Sequence, residues 1–417
     1  MRIGMFTETY APQVNGVVTS IQTLKAELEK LGHQVYIFTT TDPAAPKHES
    51  EDILRLPSIP FVNYEERRIV VRGLSEAVKL ARNVDLDLIH THTEFGAGFL
   101  GKMVAKRMNI PVVHTFHTMY EDYMHYIVKK EFITRPLIKS YSHFYLDGLD
   151  AIICPSQRVT DWLRSLGIKN YMRNISTGIY IDEFIREDIT EEEIINLRIS
   201  LGIHDDEIML LSLSRVSYEK NIQTMIRGFK EIHEKMPNTK LVIAGRGPYL
   251  QDLKELTNDL GLNESVLFVG QVEHGEVAYY YKAADYFLSA STSESQGLTY
   301  AEAIAAGTQV IAARNVYLDE LLNDPSLGVT FEGDDQFVPV TLNYLSEQIP
   351  QEACVLEEKL YEISSENFGR SVYAFYLDVL VAYSQEIRDK EQMSTRLKIQ
   401  SRIPRITRLR RRRKVKN

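Results

Sequence analysis

Glu294 and Glu302, eight residues apart, bracket a short polar turn, and residues 290–307 read Ala-Ser-Thr-Ser-Glu-Ser-Gln-Gly-Leu-Thr-Tyr-Ala-Glu-Ala-Ile-Ala-Ala-Gly. Tyr286–Ser289 ahead of them is apolar enough for a buried strand, and Leu298–Ala306 has helical spacing with Ala301, Ile304 and Ala305 on one stripe. Gly297 opens that helix and Gly307 closes it. A helix start offers backbone N–H groups without partners and the positive end of a dipole, which suits a phosphate. Glu302, placed near the first turn, taken alone reads more readily as a surface carboxylate complementing the dipole than as a site residue. Glu294, in a glycine-bearing loop after a buried strand, is harder to assign to structure alone, because such loops carry the ligand sites of open α/β sheets.

Cations that would neutralise a diphosphate stand in a second loop. Ser214-Arg215-Val216-Ser217-Tyr218-Glu219-Lys220-Asn221 follows an apolar strand, Ile208–Leu213, and puts Arg215 and Lys220 at its carboxyl edge beside a helix start. Asn15-Gly16-Val17 joins the first strand to the first helix, and Gly16 leaves room for a ligand or for a tight turn. His117 ends the strand Val112–Phe116, where a structural and a ligand role are both open. Gly245-Arg246-Gly247-Pro248 also ends a strand, but one Gly-x-Gly is better read as turn chemistry. No nucleophile triad, Walker loop or metal-ligand cluster competes with these residues.

The elements that must position them alternate regularly. The first half shows strand Arg2–Phe6, a helix carrying Val17, Ile21, Leu24, Leu28 and Leu31, strand Val35–Thr40, a helix near Arg67–Arg82, strand Leu86–His92, a helix over Phe95–Met108, and strands Val112–Phe116 and Ala151–Cys154. The charged stretch Asp182–Glu193 reads as a connection. A second alternation runs from Ile208–Leu213 through Leu241–Ala244 and Val266–Val269 to Tyr286–Ser289. This predicts an α/β chain of two Rossmann-like, doubly wound parallel-sheet domains facing a cleft. The expected divisions are residues 1–190, residues 200–366, helices over 367–391 packing back on the first domain, and a tail over 392–417.

The length of 417 residues asks for two cores. With 44% hydrophobic and 25% charged residues the chain has ordinary globular composition. Cys154 and Cys354 lack metal-ligand spacing, which suits a reducing, cytoplasmic setting. The chain starts directly in a strand and holds no stretch of about 20 apolar residues, so neither a signal peptide nor a membrane span is expected. The net charge is −9, yet residues 392–417 hold eleven Lys and Arg and no Asp or Glu, leaving −20 on the body. That tail suits an anionic surface. The body lacks the interleaved basic and aromatic patches expected of a nucleic-acid binder.

Taken together, Glu294-Ser-Gln-Gly-Leu-Thr-Tyr-Ala-Glu302, Arg215 with Lys220-Asn221, Asn15-Gly16-Val17 and Phe116-His117-Thr118 resemble the retaining glycosyltransferases of family 4, with the two-domain GT-B fold. The likeness spans residues 1 to about 390. His117-Thr-Met-Tyr-Glu-Asp-Tyr-Met-His-Tyr-Ile and Glu294-Ser-Gln-Gly-Leu-Thr-Tyr are similar to bacterial diacylglycerol glucosyltransferases of glycolipid and lipoteichoic acid anchor synthesis. Ser176-Thr177-Gly178-Ile179 departs from the Asn-Gly-Val/Ile usual in such relatives.

The resemblance implies hexose transfer, with glucose from UDP-glucose as the expected donor, to a diacylglycerol-type hydroxyl. Arg215 and Lys220 would hold the diphosphate, and Gly16, Gly297, Leu298 and Thr299 would add backbone contacts. Glu302 would bind the ribose, Glu294 the sugar beside its anomeric carbon, and His117 its O6 side. Front-face transfer and a covalent intermediate on Glu294 both fit. No tightly bound cofactor and no metal site are implied, although stimulation by a divalent cation is compatible. Galactose as the sugar, an already glycosylated lipid or a soluble polysaccharide as acceptor, and a UDP-sugar epimerase share most of these residues. An aromatic stripe of Met119, Tyr123, Tyr126 and Ile127 precedes Lys129, Lys130, Arg135 and Lys139. With Arg67, Arg68, Arg72, Lys79, Arg82 and the tail, it suits peripheral attachment to the inner face of an anionic membrane.

Overall fold

The computed structural model describes residues 1–13, 15–46, 48–61, 64–117, 131–291, 294 and 296–402, with side chains for all of these but 61, 64–67, 131–135 and 390–402. The first sheet is built from β1 (Arg2–Phe6), β2 (Gln34–Thr40) and β3 (Ile53–Leu56), a separate hairpin β4 (Ser58–Phe61) and β5 (Tyr64–Val70) follows, and β6 (Leu88–Thr91), β7 (Val112–Thr115), β8 (Ala151–Cys154) and β9 (Tyr171–Asn174) complete the sheet. Its order is β3-β2-β1-β6-β7-β8-β9, all parallel. The second sheet holds β10 (Ile208–Leu213), β11 (Thr239–Ala244), β12 (Val266–Gly270), β13 (Tyr286–Ser289), β14 (Gln309–Ala313) and β15 (Gly328–Phe331) in the order β12-β11-β10-β13-β14-β15, again parallel. Central strands such as β6, β7 and β8 are buried along their whole length, which is why they read as continuous apolar runs rather than alternating ones.

Each sheet starts in its middle, runs outward on one side, and returns to build the other. The strand order therefore reverses between β1 and β6 in one sheet and between β10 and β13 in the other. Crevices at such reversals, beyond the carboxyl ends of the strands, are where doubly wound sheets take ligands. Gly16, His117, Arg215, Lys220, Glu294 and Gly297 sit in or next to loops at these ends, and the two-domain α/β architecture expected from the sequence is the one observed.

Helices cover the sheets. In the first half these are α1 (Gly16–Lys30), α2 (Leu74–Asn83), α3 (Gly96–Met108), α4 (Glu131–Leu146) and α5 (Gln157–Ser165). Next come α6 (Asp182–Ile185), α7 (Glu191–Ser200), α8 (Ile222–Lys235), α9 (Leu250–Asp259), α10 (Val277–Ala283), α11 (Leu298–Ala305), α12 (Val316–Leu321) and α13 (Gly333–Glu347). The last described helices are α14 (Ala353–Ile363) and the long α15 (Ser365–Arg402). Phe368, Val372, Phe375, Tyr376 and Val379 recur at helical spacing along α15 and are buried with Ile21, Leu24 and Leu28 of α1. A side chain at Gly369 would lie 2.4 Å from Glu27 Cβ, so the absence of one lets the two helices close. Burial of each such apolar side chain is worth about 1.5–3 kcal/mol. The Tyr376 hydroxyl and His90 Nδ1, 2.6 Å apart, tie the same helix to β6.

One sequence expectation differs from what is seen. Arg67–Arg82 is not one helix: Tyr64–Val70 pairs antiparallel with Ser58–Phe61, and the helix starts only at Leu74. The run Glu-Glu-Arg-Arg hides the strand, because a two-stranded ribbon apart from the main sheet does not need an apolar residue at every position. Arg68 is consequently spent on Ser58, donating to its hydroxyl at 3.0 Å and its carbonyl at 2.8 Å, and is no part of a free basic strip. The charged stretch Asp182–Glu193 lies within two short helices and the turn between them. Thr190 and Glu193 form a capping box at the start of α7. β9 ends at Asn174, and Ile179 and Phe184 already belong to the core that holds Met209, Leu211 and Tyr281.

Candidate active site

The loop after β10 carries the cations. Arg215 is exposed at the strand's carboxyl end, and among the described residues its guanidinium makes no ion pair. Tyr218–Lys220 forms a single 3-10 turn, held by the Lys220 N–H donating to the Ser217 carbonyl at 3.1 Å. Gly245 and Gly247 explain themselves here. A Cβ at Gly245 would lie 1.9 Å from the Ser214 carbonyl oxygen, and one at Gly247 2.0 Å from that of Val216. The Gly-Arg-Gly turn after β11 therefore packs against the Arg215 loop and shapes it.

The loop after β13 supplies the carboxylate. Glu294 accepts a charge-assisted hydrogen bond from Lys220 Nζ, so the two residues singled out from separate loops are in direct contact. Gly297 adopts φ +82°, and a side chain there would run into the Tyr300 ring, 2.5 Å away. α11 follows, and Leu298 and Thr299 form its first turn, whose N–H groups have no acceptor within the helix. Glu302 requires a correction. The helix begins at Leu298, so Glu302 sits in its second turn and complements no dipole end. Its half-buried carboxylate accepts a hydrogen bond from the Tyr281 hydroxyl at 2.9 Å. Loss of solvation raises its pKa, an effect the Tyr281 bond opposes.

The first domain contributes the other wall. Asn15 caps α1, its Oδ1 accepting from the N–H groups of Val17 and Val18 at 3.1 Å each. Gly16 opens the helix, with free space where a side chain would be. His117 lies just beyond β7, its Nε2 3.1 Å from His92 Nδ1. Burial, followed by the neighbouring His114, pushes its pKa down to about 3, so its imidazole is neutral. His90 and His92 behind it are held well below the usual histidine value, again by burial first.

Four further residues join this constellation without having been singled out in the sequence. Arg158, at the start of α5 beyond β8, reaches across to donate to the Glu294 carbonyl at 2.6 Å, so the carboxyl edges of the two sheets face each other here. Gln296 contacts Thr177 of the chain between the sheets. Glu8, two residues after β1, is buried and accepts from the Thr93 hydroxyl and the Ala97 N–H. Desolvation, with Glu94 adding to it, brings the Glu8 carboxyl up to about 7. His92 ends β6 as His117 ends β7. All four lie within a few residues of a strand's carboxyl end or inside the loop first singled out, and that position is the signal that could have found them. The segment Met119–Lys130 and the Arg135 side chain fall outside the described residues, as do all side chains of the basic tail. Among the described residues, no group of three or more His, Cys, Asp or Glu side chains is placed to hold a metal ion.

Two facing nucleotide-type domains, with paired cation and carboxylate loops at the second sheet's reversal and a helix start at the first's, define the two-domain class of sugar-nucleotide transferases. Residues 14–183 match Glycosyltransferase Family 4 and residues 193–352 match Glycosyl transferases group 1, and the chain belongs to this family. It is similar to an alpha-monoglucosyldiacylglycerol synthase of Streptococcus pneumoniae, at 47% identity over 95% of this chain and 90% of that one. A synthase described in the same words from Acholeplasma laidlawii is 33% identical over 94% of this chain and all of its own length. Among solved structures, Anabaena HepE in complex with UDP superposes with a TM-score of 0.71 at 16% identity, covering 91% of this chain and 100% of that one. Sucrose-phosphate synthase from Thermosynechococcus elongatus also superposes at 0.71, with 22% identity and coverage of 91% and 99%. At those identities the structural likeness establishes the fold.

Proposed function

We propose that this chain transfers glucose from UDP-glucose to the free hydroxyl of 1,2-diacylglycerol with retention, giving an α-monoglucosyl lipid. The observation that carries this reading is the contact of Lys220 with Glu294 at the reversal of the second sheet, with Arg215 beside it. The two relatives named for the same product support it. Because the sugar in UDP-glucose is α-linked, an α product means retention.

In this reading Arg215 and Lys220 take the β-phosphate, and the N–H groups of Leu298 and Thr299 and the Gly16 turn complete the diphosphate site. Glu302, held by Tyr281, takes the ribose hydroxyls. Glu294 exchanges Lys220 for the glucose hydroxyls next to C1, and neutral His117 hydrogen-bonds the O6 side. The bond from C1 to the phosphate oxygen breaks, the lipid oxygen bonds to C1 from the same face, and its proton passes to the departing phosphate oxygen. The cations stabilise the charge that builds on UDP, the main electrostatic work of such a step.

A lipid acceptor also fits the outer face of the first domain. Leu137 and Phe144 on α4 are 59% and 68% exposed, and Phe95 and Met103 beside α3 and on it are also exposed. The Phe99 and Phe144 rings, 5.4 Å apart, make this one apolar face. Exposed Lys106, Arg107 and Lys139 flank it. Apolar side chains rimmed by cations suit shallow seating in an anionic bilayer, and no described helix is long and apolar enough to cross one. Peripheral attachment follows, with the basic tail adding electrostatic attraction.

The test is product analysis. The full chain is given UDP-glucose or UDP-galactose with vesicles of phosphatidylglycerol and diacylglycerol, or with glucosyldiacylglycerol in its place. α-Monoglucosyldiacylglycerol, identified by the anomeric proton coupling, is the expected product. Galactosyl transfer, preferred use of the glycosylated lipid, or UDP release without lipid product would each reject the reading.

A further inference from the structure

The loop that carries Glu294 is held by more than its own domain. Gln296 is 5% exposed; both ends of its carboxamide bind Thr177, and its side chain also hydrogen-bonds the Tyr317 hydroxyl. Oε1 accepts from the Thr177 N–H at 2.9 Å, and Nε2 donates to the Thr177 carbonyl at 2.7 Å. Thr177 lies on the chain between the two sheets, and its hydroxyl is 2.9 Å from Ser20 Oγ on α1. A continuous hydrogen-bonded path therefore runs from the loop between Glu294 and α11, through Thr177, to the helix that begins at Gly16. Those are the two sides of the proposed diphosphate site. Next to Thr177, Gly178 is pinned against the start of α15, where a side chain would lie 2.2 Å from the Ser364 carbonyl.

Packing alone does not call for an amide here. A methionine or leucine would fill the space, whereas a buried carboxamide is costly unless fully paired. A two-point pair with a peptide group fixes both distance and orientation, which an apolar contact does not. We infer that Gln296 is a positioning residue that couples the donor loop to the interdomain chain at Thr177, so that α1 and α11 stand at their working separation before the nucleotide arrives. The inference rests on the donor reading above. Without the coupling, only a fraction of molecules presents a competent site, and apparent affinity falls by that fraction, while the bound complex reacts much as before.

Calorimetry with UDP on the full chain, together with steady-state turnover, tests this. Wild-type binding of UDP checks the donor reading itself, and the variants check the coupling. Gln296→Met, which keeps volume and removes both hydrogen bonds to Thr177 along with the one to Tyr317, is expected to raise the Kd for UDP about tenfold and to lower kcat no more than about twofold. Ser20→Ala should raise Kd about threefold, and the double variant should bind no more weakly than Gln296→Met alone, since Ser20 acts through the same path. A fall in Tm with UDP affinity intact, or effects that multiply independently, would overturn the inference. Should Gln296→Met not fold, Ser20→Ala decides alone, and an unchanged Kd overturns it.

Discussion

Glu294→Gln is expected to tighten UDP binding while nearly abolishing transfer. Without donor, Lys220 Nζ already pairs with the Glu294 carboxylate, and the two side chains are 21% and 18% exposed. A diphosphate must displace that carboxylate before it can use the lysine. The bare attraction of such a pair at an effective dielectric constant near 20 is about 4 kcal/mol. Desolvation and side-chain ordering offset most of it, and even exposed pairs retain only about 0.2–1 kcal/mol. For a pair at this depth a net value of about 1 kcal/mol is reasonable, and that is a factor of about five in Kd. Glutamine keeps the shape and removes the charge, so UDP should bind about fivefold more tightly by calorimetry. Glucose transfer, measured as lipid product, should fall at least about 100-fold because the carboxylate that the proposed mechanism sets against the sugar is gone. The opposite signs separate this outcome from partial unfolding, which would weaken both. UDP affinity equal to or below that of the wild type would show that the pair does not compete with the diphosphate, and the reasoning would fail.

The exposed face of α3 and α4 can be tested by sedimentation with phosphatidylglycerol vesicles. Leu137→Ser with Phe144→Ser, and separately deletion of residues 403–417, should each lower the bound fraction several-fold while UDP affinity stays unchanged; undiminished sedimentation of both would remove the proposed attachment. Glu8 provides a pH test: its carboxyl is raised from 4.5 to about 7, so between those values the unfolded chain has lost the proton while the folded one keeps it. Stability is therefore fully present below pH 4.5, falls as pH rises toward 7, and loses about 3 kcal/mol in all from this group. Glu8→Gln should abolish that part of the slope in denaturant titrations across pH 4–8, and identical slopes in variant and wild type would refute the assignment.

What the sequence reveals and what it hides divides along physical lines. The central strands were legible because a parallel strand covered on both faces must be apolar throughout, and Ala151–Cys154, Ile208–Leu213 and Tyr286–Ser289 end where expected. The hairpin over Ser58–Val70 was not legible, since its second strand is paired only in a two-stranded ribbon and carries charge where a sheet core would demand valine or isoleucine. Glu302 lies a turn deeper than the acid–helix-start rule suggests, because that rule is local, and its partner, Tyr281, comes from another helix 21 residues back.

The contacts that organise the site are the least local of all. Lys220 meets Glu294 across 74 residues, Arg158 meets the same loop across 136, and Gln296 meets Thr177 across 119. No periodicity encodes such pairs. What a sequence does encode is that each of these residues follows a buried strand or lies in the chain joining the two sheets, and a doubly wound topology brings those places together twice, once per sheet. The candidates could thus be collected from one sequence by their position relative to strands. Which of them touch, and therefore which charge a diphosphate must displace, depends on how the two sheets face one another, and Arg158, Gln296 and Thr177 are residues that set this.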